Sequence, residues 1–393
     1  MPRVTLSYRT AGESHGPAMN SLVDGMPAGL EIDAAFIDAE LSRRQGGYGR
    51  GGRQRIESDR VRFLAGVRLG RTIGAPILMQ IENKDSRLDD LERTPPVHRP
   101  RPGHADLAGA RKFDTDDCRN VLERASARET AARVAAGALA RVLLRQFGIE
   151  AFGFVRGGLD VVSSIEVSPL NWRELRAARD ASEIAVPDAK ASDAFIERIH
   201  AAKAAKDTVG GWCEAHVFGV PAGLGGCTQW FERLDARIAA AVMGIQAFKC
   251  VEIGLGRECA ARRGSEVHDP ITFDAGRRDE PHGGFVRPRN NAGGIEGGMT
   301  NGMPIVVKGT MKPIATLGKG MPSVDLRSGE AQQSAYERSD VCAVAAASVV
   351  MENVVAFEIA RAFLERFGGA TVEQVRAHVL ADAATQRASP KRA

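Results

Sequence analysis

The sequence predicts a soluble globular protein in which helices and strands are both present. Hydrophobic residues make up 44% and charged residues 26% of the 393 residues, which is the balance of an ordinary folded chain rather than a disordered or membrane one. Several long stretches repeat apolar residues with a helical period, while shorter apolar runs have the character of strands. The length alone favours two domains.

Composition and charge disfavour several classes of protein. The N-terminus lacks an apolar leader, and no apolar run approaches the roughly 18 residues of a membrane span. A net charge of +4 is too small to indicate a nucleic-acid partner. The six cysteines are widely separated, with no C-x-x-C pair and no clustered histidines, so we expect neither a metal site nor disulfides. The chain is therefore predicted to be cytoplasmic, with no nucleic-acid and no membrane partner.

The period of the apolar residues, together with candidate caps and helix-ending glycines, predicts the main helices and strands. The first helix, over 33–45, has Asp33 as a candidate N-cap and glycines at its end. A second, continuous helix is predicted over 117–147, where Arg124 and Arg128 stand four apart and so share one face. Further helices are expected at 232–246 and 341–367, and strands at 63–69, 76–82 and 304–310.

Two segments have the composition of linkers, 94–103 and 280–302, but they also contain arginine and histidine. A flexible tether is usually monotonous in a few small or polar residues. We therefore interpret both segments as ordered loops of an active site. The last ten residues, 384–393, are predicted to form a flexible tail.

Glycine, arginine and histidine recur together at four separated places. These are AGESHG (11–16), RRQGGYGRGGR (43–53), HRPRPGHAD (98–106) and ERSDVCAV (337–344). Glycine lets a ligand approach the backbone, guanidinium groups grip phosphate or carboxylate with two hydrogen bonds, and histidine exchanges protons near neutral pH. The combination indicates a site for a small polyanion that undergoes proton-coupled chemistry.

Individual residues of these motifs are candidates for that site. His15 and His104 both lie in glycine-flanked turns, and ERSDVCAV places Asp340 at a helix N-terminus, where anions are favoured. Simpler interpretations stay open here: either histidine is a loop residue without a role, and Asp340 is only a helix cap. The residues expected to converge with the histidines on one metal-free pocket are Arg101, Arg124, Ser126 and Arg128.

The stretch 43–55 also has the composition of an RNA-binding RGG segment, which is the main alternative. It occurs once, follows a capped helix and leads into a predicted strand, whereas disordered RGG segments usually come in long repeats. We therefore favour an ordered anion-binding loop. GLGREC (254–259) lacks the third glycine of a dinucleotide-binding fingerprint, and no P-loop motif occurs.

Taken in order, the motifs resemble those of the chorismate synthase family over roughly residues 5–365. The resemblance rests on GESHG, RQGGYGRGGR, RPGHADL, LERASARET, GGIEGGMTNGMPIVVKGTMKPI and ERSDVCAV. It implies one α+β catalytic domain, residues 1–383, in which helices are sandwiched between two antiparallel sheets, and a homotetramer. The chain departs from the family at Ala345, where proline is usual, and at Ala315, where serine is common.

The resemblance also implies a reaction. The family eliminates phosphate from 5-enolpyruvylshikimate 3-phosphate in the 1,4-anti sense to give chorismate, and it requires reduced FMN without net redox change. The substrate carries roughly four negative charges, since its phosphate alone contributes about −1.5 to −2. In the family pattern His15 corresponds to the acid near the departing phosphate. His104 corresponds to a residue beside the flavin pyrimidine ring, and Asp340 to a carboxylate near flavin N5 that relays a proton.

Binding residues carry over from the resemblance in the same way. Arg44, Arg50, Arg101 and Arg128 correspond to a substrate clamp, and Arg44 and Arg50 also match positions assigned to NADP. The positions that correspond to FMN contacts are Arg124, Ala125, Ser126, Gln246, Ala247, Gly297, Lys312, Pro313, Ile314, Ala315, Thr316 and Arg338.

Nothing in the sequence adds a reductase domain, so we expect an external flavin reductase to supply the reduced FMN, with NADPH only as an indirect reductant. Two other hypotheses for the function remain. One is an RNA-binding protein that uses the 43–55 segment. The other is a flavoprotein reductase, which would consume NADPH stoichiometrically.

Overall fold

Two antiparallel sheets, and the helices packed against them, organise this chain. The computed structural model describes residues 5–51, 58–337 and 339–387. Helices and strands are mixed along the chain, as the sequence predicts. No helix within these described ranges combines the length and the apolar character needed to cross a bilayer.

The helices and strands have the following bounds. The helices are α1 (Ala34–Gln45), α2 (Asp106–Lys112), α3 (Arg119–Ala125), α4 (Thr130–Arg145), α5 (Trp172–Ala181), α6 (Ala189–Ala204), α7 (Leu234–Met243), α8 (Gly264–Val267), α9 (Val344–Phe367) and α10 (Val372–Arg387). The strands are β1 (Ser7–Ala11), β2 (Ala18–Asp24), β3 (Val61–Ala65), β4 (Val67–Arg68), β5 (Arg71–Thr72), β6 (Ile77–Glu82), β7 (Glu150–Gly158), β8 (Val161–Val162), β9 (Gly211–Phe218), β10 (Phe248–Ile253), β11 (Thr272–Phe273), β12 (Phe285–Val286), β13 (Ile295–Glu296), β14 (Met299–Thr300), β15 (Ile305–Met311), β16 (Pro322–Val324) and β17 (Ala331–Gln333).

The first sheet has the strand order β1-β2-β6-β3, and every neighbouring pair is antiparallel. Along β6, Ile77, Met79 and Ile81 are fully buried while the residues between them are partly accessible. This period of two means that one face of the sheet packs against apolar side chains. Helix α4 contacts three strands of this sheet, β1, β2 and β6.

The second sheet has the strand order β10-β15-β9-β7-β8 and is also antiparallel. Strand β9 is buried along almost its whole length, so both faces of the sheet are covered there. Helix α9 contacts β7, β9 and β15, and it also packs along α4. Helices α4 and α9 therefore connect the two sheets through one apolar core.

A group of buried charges lies where α1, α4 and α9 meet. The carboxylates of Glu40 and Glu352 accept hydrogen bonds from three arginines, with Arg141 closest at 2.6 Å from Glu40. Burial acts to raise the pKa of both carboxyls, but the arginine charges outweigh it and hold each pKa below its usual value. The group is ionised, and with Asp180, which lies 3.8 Å from Arg43 and 2.7 Å from Arg179, three carboxylates face three arginines.

The predicted helix over 117–147 is wrong as a single element. It breaks at Ser126, whose backbone is extended at φ −61° and ψ 144°, and whose Oγ accepts a hydrogen bond from the backbone N–H of Arg128 at 3.2 Å. Serine competes for backbone hydrogen bonds and so favours a cap over a helix interior. Arg124 and Arg128 consequently do not share a helix face.

The start of the last long helix also differs from the expectation. Helix α9 begins at Val344 with Ala343 as its N-cap, so Asp340 lies before the cap and does not fill it. Ala345, which stands where the family has proline, is buried in the first turn of the helix. By contrast, Asp33 caps α1 as predicted, by accepting from the N–H of Phe36 at 2.9 Å. Helix α10 reaches Arg387, and 388–393 lie outside the described residues.

The close crossing of α4 and α9 generates a stability prediction. A Cβ built on Gly137 in α4 would overlap the backbone carbonyl of Asn353 in α9. Gly137→Ala should therefore lower the free energy of unfolding by about 1–3 kcal/mol, because overpacking outweighs the better helix propensity of alanine. Urea denaturation measures this. In the control Gly264→Ala, the nearest atom to the new Cβ is 3.5 Å away, and the change should stay within about 1 kcal/mol. An unchanged midpoint in Gly137→Ala would contradict the close approach.

Candidate active site

A cavity of about 480 Å³ opens between segments that are far apart in the sequence. Its volume falls within the roughly 300–1,000 Å³ typical of small-molecule sites. Its wall comes from the loops before β2 and α2, the break between α3 and α4, the end of β15 and the approach to α9. The residues named from the sequence that line it are His15, Arg101, His104, Ala125, Ser126, Gln246, Ala247, Lys312, Ile314, Ala315, Thr316 and Asp340.

The break at Ser126 shapes one wall of the cavity. Because the backbone is extended there, α3 ends beside the cavity while α4 leaves it to pack in the core. The Ser126 hydroxyl donates to the hydroxyl of Ser14 at 3.1 Å, which ties the break to the loop that carries His15. The backbone N–H of Ser14 also donates to the carbonyl of Glu123 at 3.0 Å. The first motif is therefore held against the end of α3.

His15 is bound by the carboxylate of Glu123. Its Nδ1 lies 2.9 Å from Glu123 Oε1, and its backbone N–H donates to Oε2 at 2.8 Å. The Nε2 atom lies 3.4 Å from a guanidinium nitrogen of Arg87, a further residue of the cavity wall. Burial acts to raise the pKa of Glu123, but the hydrogen bonds and charge of His15, with Arg119, hold that pKa below its usual range. Glu123 is therefore a carboxylate acceptor at neutral pH.

His104 and Arg101 share the carboxylate of Asp106, the residue that opens α2. Arg101 Nε donates to Asp106 Oδ2 at 2.8 Å, and His104 Nδ1 contacts Oδ1. Asp106 is fully buried, and burial acts to raise its pKa, yet the hydrogen bonds from His104 and Arg101 hold that pKa well below its usual value. Arg101 also donates to the hydroxyl of Thr316 at 3.1 Å, which connects the two ends of the cavity wall.

Arg44 and Arg128 share a single carboxylate, that of Asp59. Arg128 donates to Asp59 Oδ1 at 2.7 Å and Arg44 donates to Oδ2 at 2.8 Å. Burial lowers the pKa of Arg44 to about 10, with Asp59 opposing the shift and Arg128 adding to it. Arg128 is directed to Asp59 and Asn83 and does not line the large cavity.

Arg50 and Asp340 form a pair beside the cavity. Arg50 Nη1 lies 2.6 Å from Asp340 Oδ2, and the backbone N–H of Gly51 donates to Oδ1 at 2.5 Å. Arg50 and Arg44 line a second, small cavity of about 40 Å³ that shares Gln246 and other wall residues with the large one. The loop after α1 is held in place by the N–H of Val341, which donates to the carbonyl of Gly49 at 2.8 Å.

Several predicted contacts do not reach this cavity. Arg124 donates to the backbone carbonyls of Thr10 and Gly12, at 3.0 and 3.1 Å. Gly297 lies between β13 and β14, where a built Cβ would meet no atom within 4 Å, and no residue of 280–302 lines the cavity. Pro313 is likewise not part of the wall. Arg338 lies outside the described residues.

The carboxylates of the site are the functional residues that sequence reasoning missed. Asp106 and Glu123 stand inside the quoted motifs RPGHADL and LERASARET, so a search for acidic partners of the two histidines would have found both. The sequence gives no comparable signal for Asp59, because this residue stands just after the glycine-rich stretch and 69 residues before Arg128. Only the fold brings Asp59 within 2.8 Å of Arg44 and 2.7 Å of Arg128.

A cavity walled by proton-exchanging groups and cations, and lined by residues of three of the four motifs, is typical of an enzyme that acts on a small anion. The comparisons with known proteins make this specific. A family model described as chorismate synthase matches residues 6–364. Curated chorismate synthases are similar along nearly their full length. That of Desulforudis audaxviator is 53% identical over 381 residues, covering 94% of this chain and 95% of its own. That of Listeria monocytogenes serotype 4a is 48% identical over 387 residues, covering 95% and 97%.

A solved structure agrees with the sequence comparisons. A crystal structure of chorismate synthase superposes with a TM-score of 0.80 at 37% identity, covering 98% of this chain and 99% of the other. The chain belongs to the chorismate synthase family, which confirms the resemblance seen in its motifs. It is accordingly a carbon–oxygen lyase that forms chorismate in the shikimate pathway, from which the aromatic amino acids are made.

The pairing of Arg101 and His104 with Asp106 generates a pH prediction. The folded-state pKa of Asp106 is depressed, so its contribution to stability is present above the unfolded value of about 3.9 and is lost as the pH falls further. Asp106→Asn should lower the free energy of unfolding at pH 7 by about 2–4 kcal/mol, because Arg101 is left without its counter-charge. The variant should also show a shallower loss of stability below about pH 4 than the parent.

Chemical denaturation at a series of pH values measures both effects. The control is Asp160→Asn, which removes an exposed pair with Arg198 at 2.8 Å and should change neither quantity measurably. An acid slope in Asp106→Asn equal to that of the parent would show that Asp106 is not the ionised partner.

Proposed function

We propose that this chain eliminates phosphate from 5-enolpyruvylshikimate 3-phosphate within the large cavity, with reduced FMN as cofactor and no net redox change. The observation that carries the proposal is that His15, His104 and Asp340, from three separate segments, line one cavity. Two of these groups are histidines whose Nδ1 contacts a buried carboxylate, and the third is a carboxylate. Such a set can give and take protons on both sides of one ligand.

Three features of the cavity fit a flavin phosphate. Lys312 lies on the wall, and no hydrogen bond or ion pair joins its ammonium group to another described residue. The Oε1 atom of Gln246 is buried with no hydrogen-bond partner within the described structure. Ala247 holds a left-handed backbone at φ 69°, which is costly for a residue other than glycine. The cation suits an anionic group of a ligand, and the orphaned acceptor suits a hydrogen-bond donor on the same ligand, such as a ring N–H or a hydroxyl.

The residues proposed to hold FMN are therefore those on the wall around Lys312, Gln246 and Ser126. When bound, reduced FMN supplies electron density to the allylic C–O bond that breaks. Pro313, Arg124, Gly297 and Arg338 remain predictions from the family pattern alone.

His15 is proposed as the acid for the departing phosphate. Its Nδ1 is occupied by Glu123, so Nε2 is the nitrogen left to give a proton to a phosphate oxygen. His104 is proposed to lie against the flavin ring, where Asp106 keeps it oriented. Asp340 is proposed to relay onward the proton that leaves C6 of the substrate, and Arg50 and the Gly51 N–H hold its carboxylate in place.

The proposed substrate clamp needs one refinement. Arg44 and Arg128 share Asp59, Arg101 is paired with Asp106, and Arg50 with Asp340. Lys312 lines the large cavity and Arg44 lines the small cavity that adjoins it, and we propose that the substrate anions bind near these two side chains. Arg44 and Arg50 also correspond to NADP positions in the family, and NADPH is proposed only as an indirect reductant through an external flavin reductase.

Assembly, layering and location remain proposals. We propose a homotetramer, in which each chain folds as a layer of helices between its two sheets; the contacts of α4 with one sheet and of α9 with the other support this layering. We propose a cytoplasmic, reducing location, which suits the six cysteines, all described and all present as free thiols.

An anaerobic assay tests the proposed function. The purified protein with chemically reduced FMN and the enolpyruvyl phosphate substrate should release one phosphate for each chorismate formed, followed by absorbance and by phosphate analysis. Flavin should remain reduced over many turnovers, and added NADPH should not be consumed stoichiometrically. Stoichiometric NADPH oxidation would instead favour the reductase hypothesis, and a folded protein that forms no chorismate would refute the proposal.

His15→Ala should lower kcat by about 100-fold or more, because the proton for the departing phosphate must then come from water. Binding of FMN, measured by flavin fluorescence, should be unchanged. The control is His200→Ala, an exposed position at the end of α6, which should leave kcat unaltered. Equal turnover in His15→Ala would remove this residue from its proposed role.

A further inference from the structure

The structure assigns a positioning role to Glu123: we propose that it holds His15 as the Nδ1–H tautomer and favours the protonated imidazole, while Arg119 limits that effect. This inference deepens the proposed function, since it concerns the residue proposed as the acid. It assigns a task to two residues, Glu123 and Arg119, that the family pattern left without one.

Four hydrogen-bond contacts join Glu123 to the loop of His15. The two carboxylate oxygens lie 2.9 and 3.1 Å from Nδ1, Oε2 also accepts the backbone N–H of His15 at 2.8 Å, and the carbonyl of Glu123 accepts the N–H of Ser14 at 3.0 Å. Glu123 is 1% exposed and lies in the last turns of α3, so its carboxylate has a fixed direction. A carboxylate accepts only, which requires the proton of a neutral His15 to be on Nδ1.

Nε2 then remains as the atom that exchanges a proton with the ligand. The charged groups around it are Arg87, 3.4 Å away, and Asp85, whose carboxylate lies 3.9 Å away. Arg87 and Arg93 both approach Asp85, at 3.3 and 3.7 Å, so the Asp85 charge is largely matched. Glu123 is therefore the closest negative charge to the imidazole and favours the imidazolium form, while Arg87, the closest cation, opposes it from the Nε2 side.

Arg119 opposes this field from the other side of Glu123. It lies one turn earlier on α3, with Nη1 3.5 Å from Glu123 Oε1 and Nη2 3.0 Å from Glu337 Oε1. Its Nε donates to the carbonyl of Pro95 at 2.9 Å, which fixes the side chain. Glu337 is itself part of the cavity wall. Arg119 thus lies between two carboxylates, closer to Glu337 than to Glu123, and its positive charge opposes that of Glu123 at His15.

A purely structural role for Glu123 is the competing explanation, and the chain offers a matched control. Glu214 on β9 is a buried carboxylate that binds an arginine and a histidine, Arg156 at 2.6 Å and His216 at 3.2 Å, and it does not line the cavity. Burial acts to raise its pKa, but the hydrogen bonds from His216 and Arg156 lower the value to about 2. Glu214→Gln should lower the free energy of unfolding about as much as Glu123→Gln does, but it should leave the titration of His15 unchanged.

Four variants of the protein separate the effects of the Glu123 charge, of its hydrogen bond and of the Arg119 charge. Glu123→Gln keeps an acceptor but removes the charge, Glu123→Leu removes both, Arg119→Met removes the opposing cation, and Glu214→Gln is the control. Nitrogen-15 NMR of the histidines, with His15 assigned by its disappearance in His15→Ala, reports the tautomer and the pH at which the ring loses its proton. This readout does not depend on turnover.

The proposal requires shifts of opposite sign. In Glu123→Gln the midpoint of His15 titration should fall by about one pH unit with Nδ1–H retained, and in Arg119→Met it should rise. In Glu123→Leu the neutral ring should change to the Nε2–H tautomer. If that variant does not fold, the Gln and Met variants suffice. An unmoved midpoint in Glu123→Gln, or an equal shift in Glu214→Gln, would overturn the proposal.

The pH dependence of kcat separates this inference from the proposed function. If His15 is the acid, the alkaline limb of kcat should move with the NMR midpoint in both variants, while KM for the substrate changes less than about threefold. If the midpoint moves and the kcat profile does not, Glu123 still controls His15, but His15 is not the acid and that part of the proposed function fails.

Discussion

Buried guanidinium groups, each held by a carboxylate, are the interaction on which the site and the adjoining core depend. Removing an arginine from water costs several kcal/mol unless a counter-charge replaces the lost hydration. Asp59, Asp106 and Asp340 provide that charge around the cavity, and Glu40 and Glu352 provide it between α1, α4 and α9. The arginines are therefore fixed before a ligand arrives, which reduces the ordering cost of binding.

This arrangement also places the charge that a ligand meets. Arg101 is paired with Asp106 and Arg50 with Asp340, so each of these pairs presents little net field to the cavity. Lys312, which directly follows the last residue of β15, has no ion-pair partner among the described residues. The charge that a ligand meets is therefore local rather than spread over a uniform cationic surface, and a local charge favours one orientation of an anion.

Sequence reasoning was most successful where the signal is local. The caps and glycines of α1, the strand at 304–310 and the motif residues His15, His104 and Asp340 could all be found from short windows, and the cavity brings those three residues together. It was wrong where a local preference competed with a pattern: the apolar period through 117–147 hid the break that Ser126 makes. The partnership of Asp59 with Arg44 and Arg128 could not be found, because it depends on tertiary pairing alone.

The extended backbone at Ser126 divides a segment that otherwise resembles one helix into two helices with different contacts. Before Ser126, α3 places Glu123 against the loop that carries His15, with Arg119 next to Glu123. After Ser126, α4 packs against α9 and the first sheet. A single inserted residue within α3 would rotate everything before it by about 100°. It would turn Arg119 away from Glu337 and would also move Leu122 out of the small apolar cluster that it forms with Val97, Ala110 and Cys118. The spacing from Arg119 to Ser126 is therefore constrained by packing and by the geometry of the cavity together.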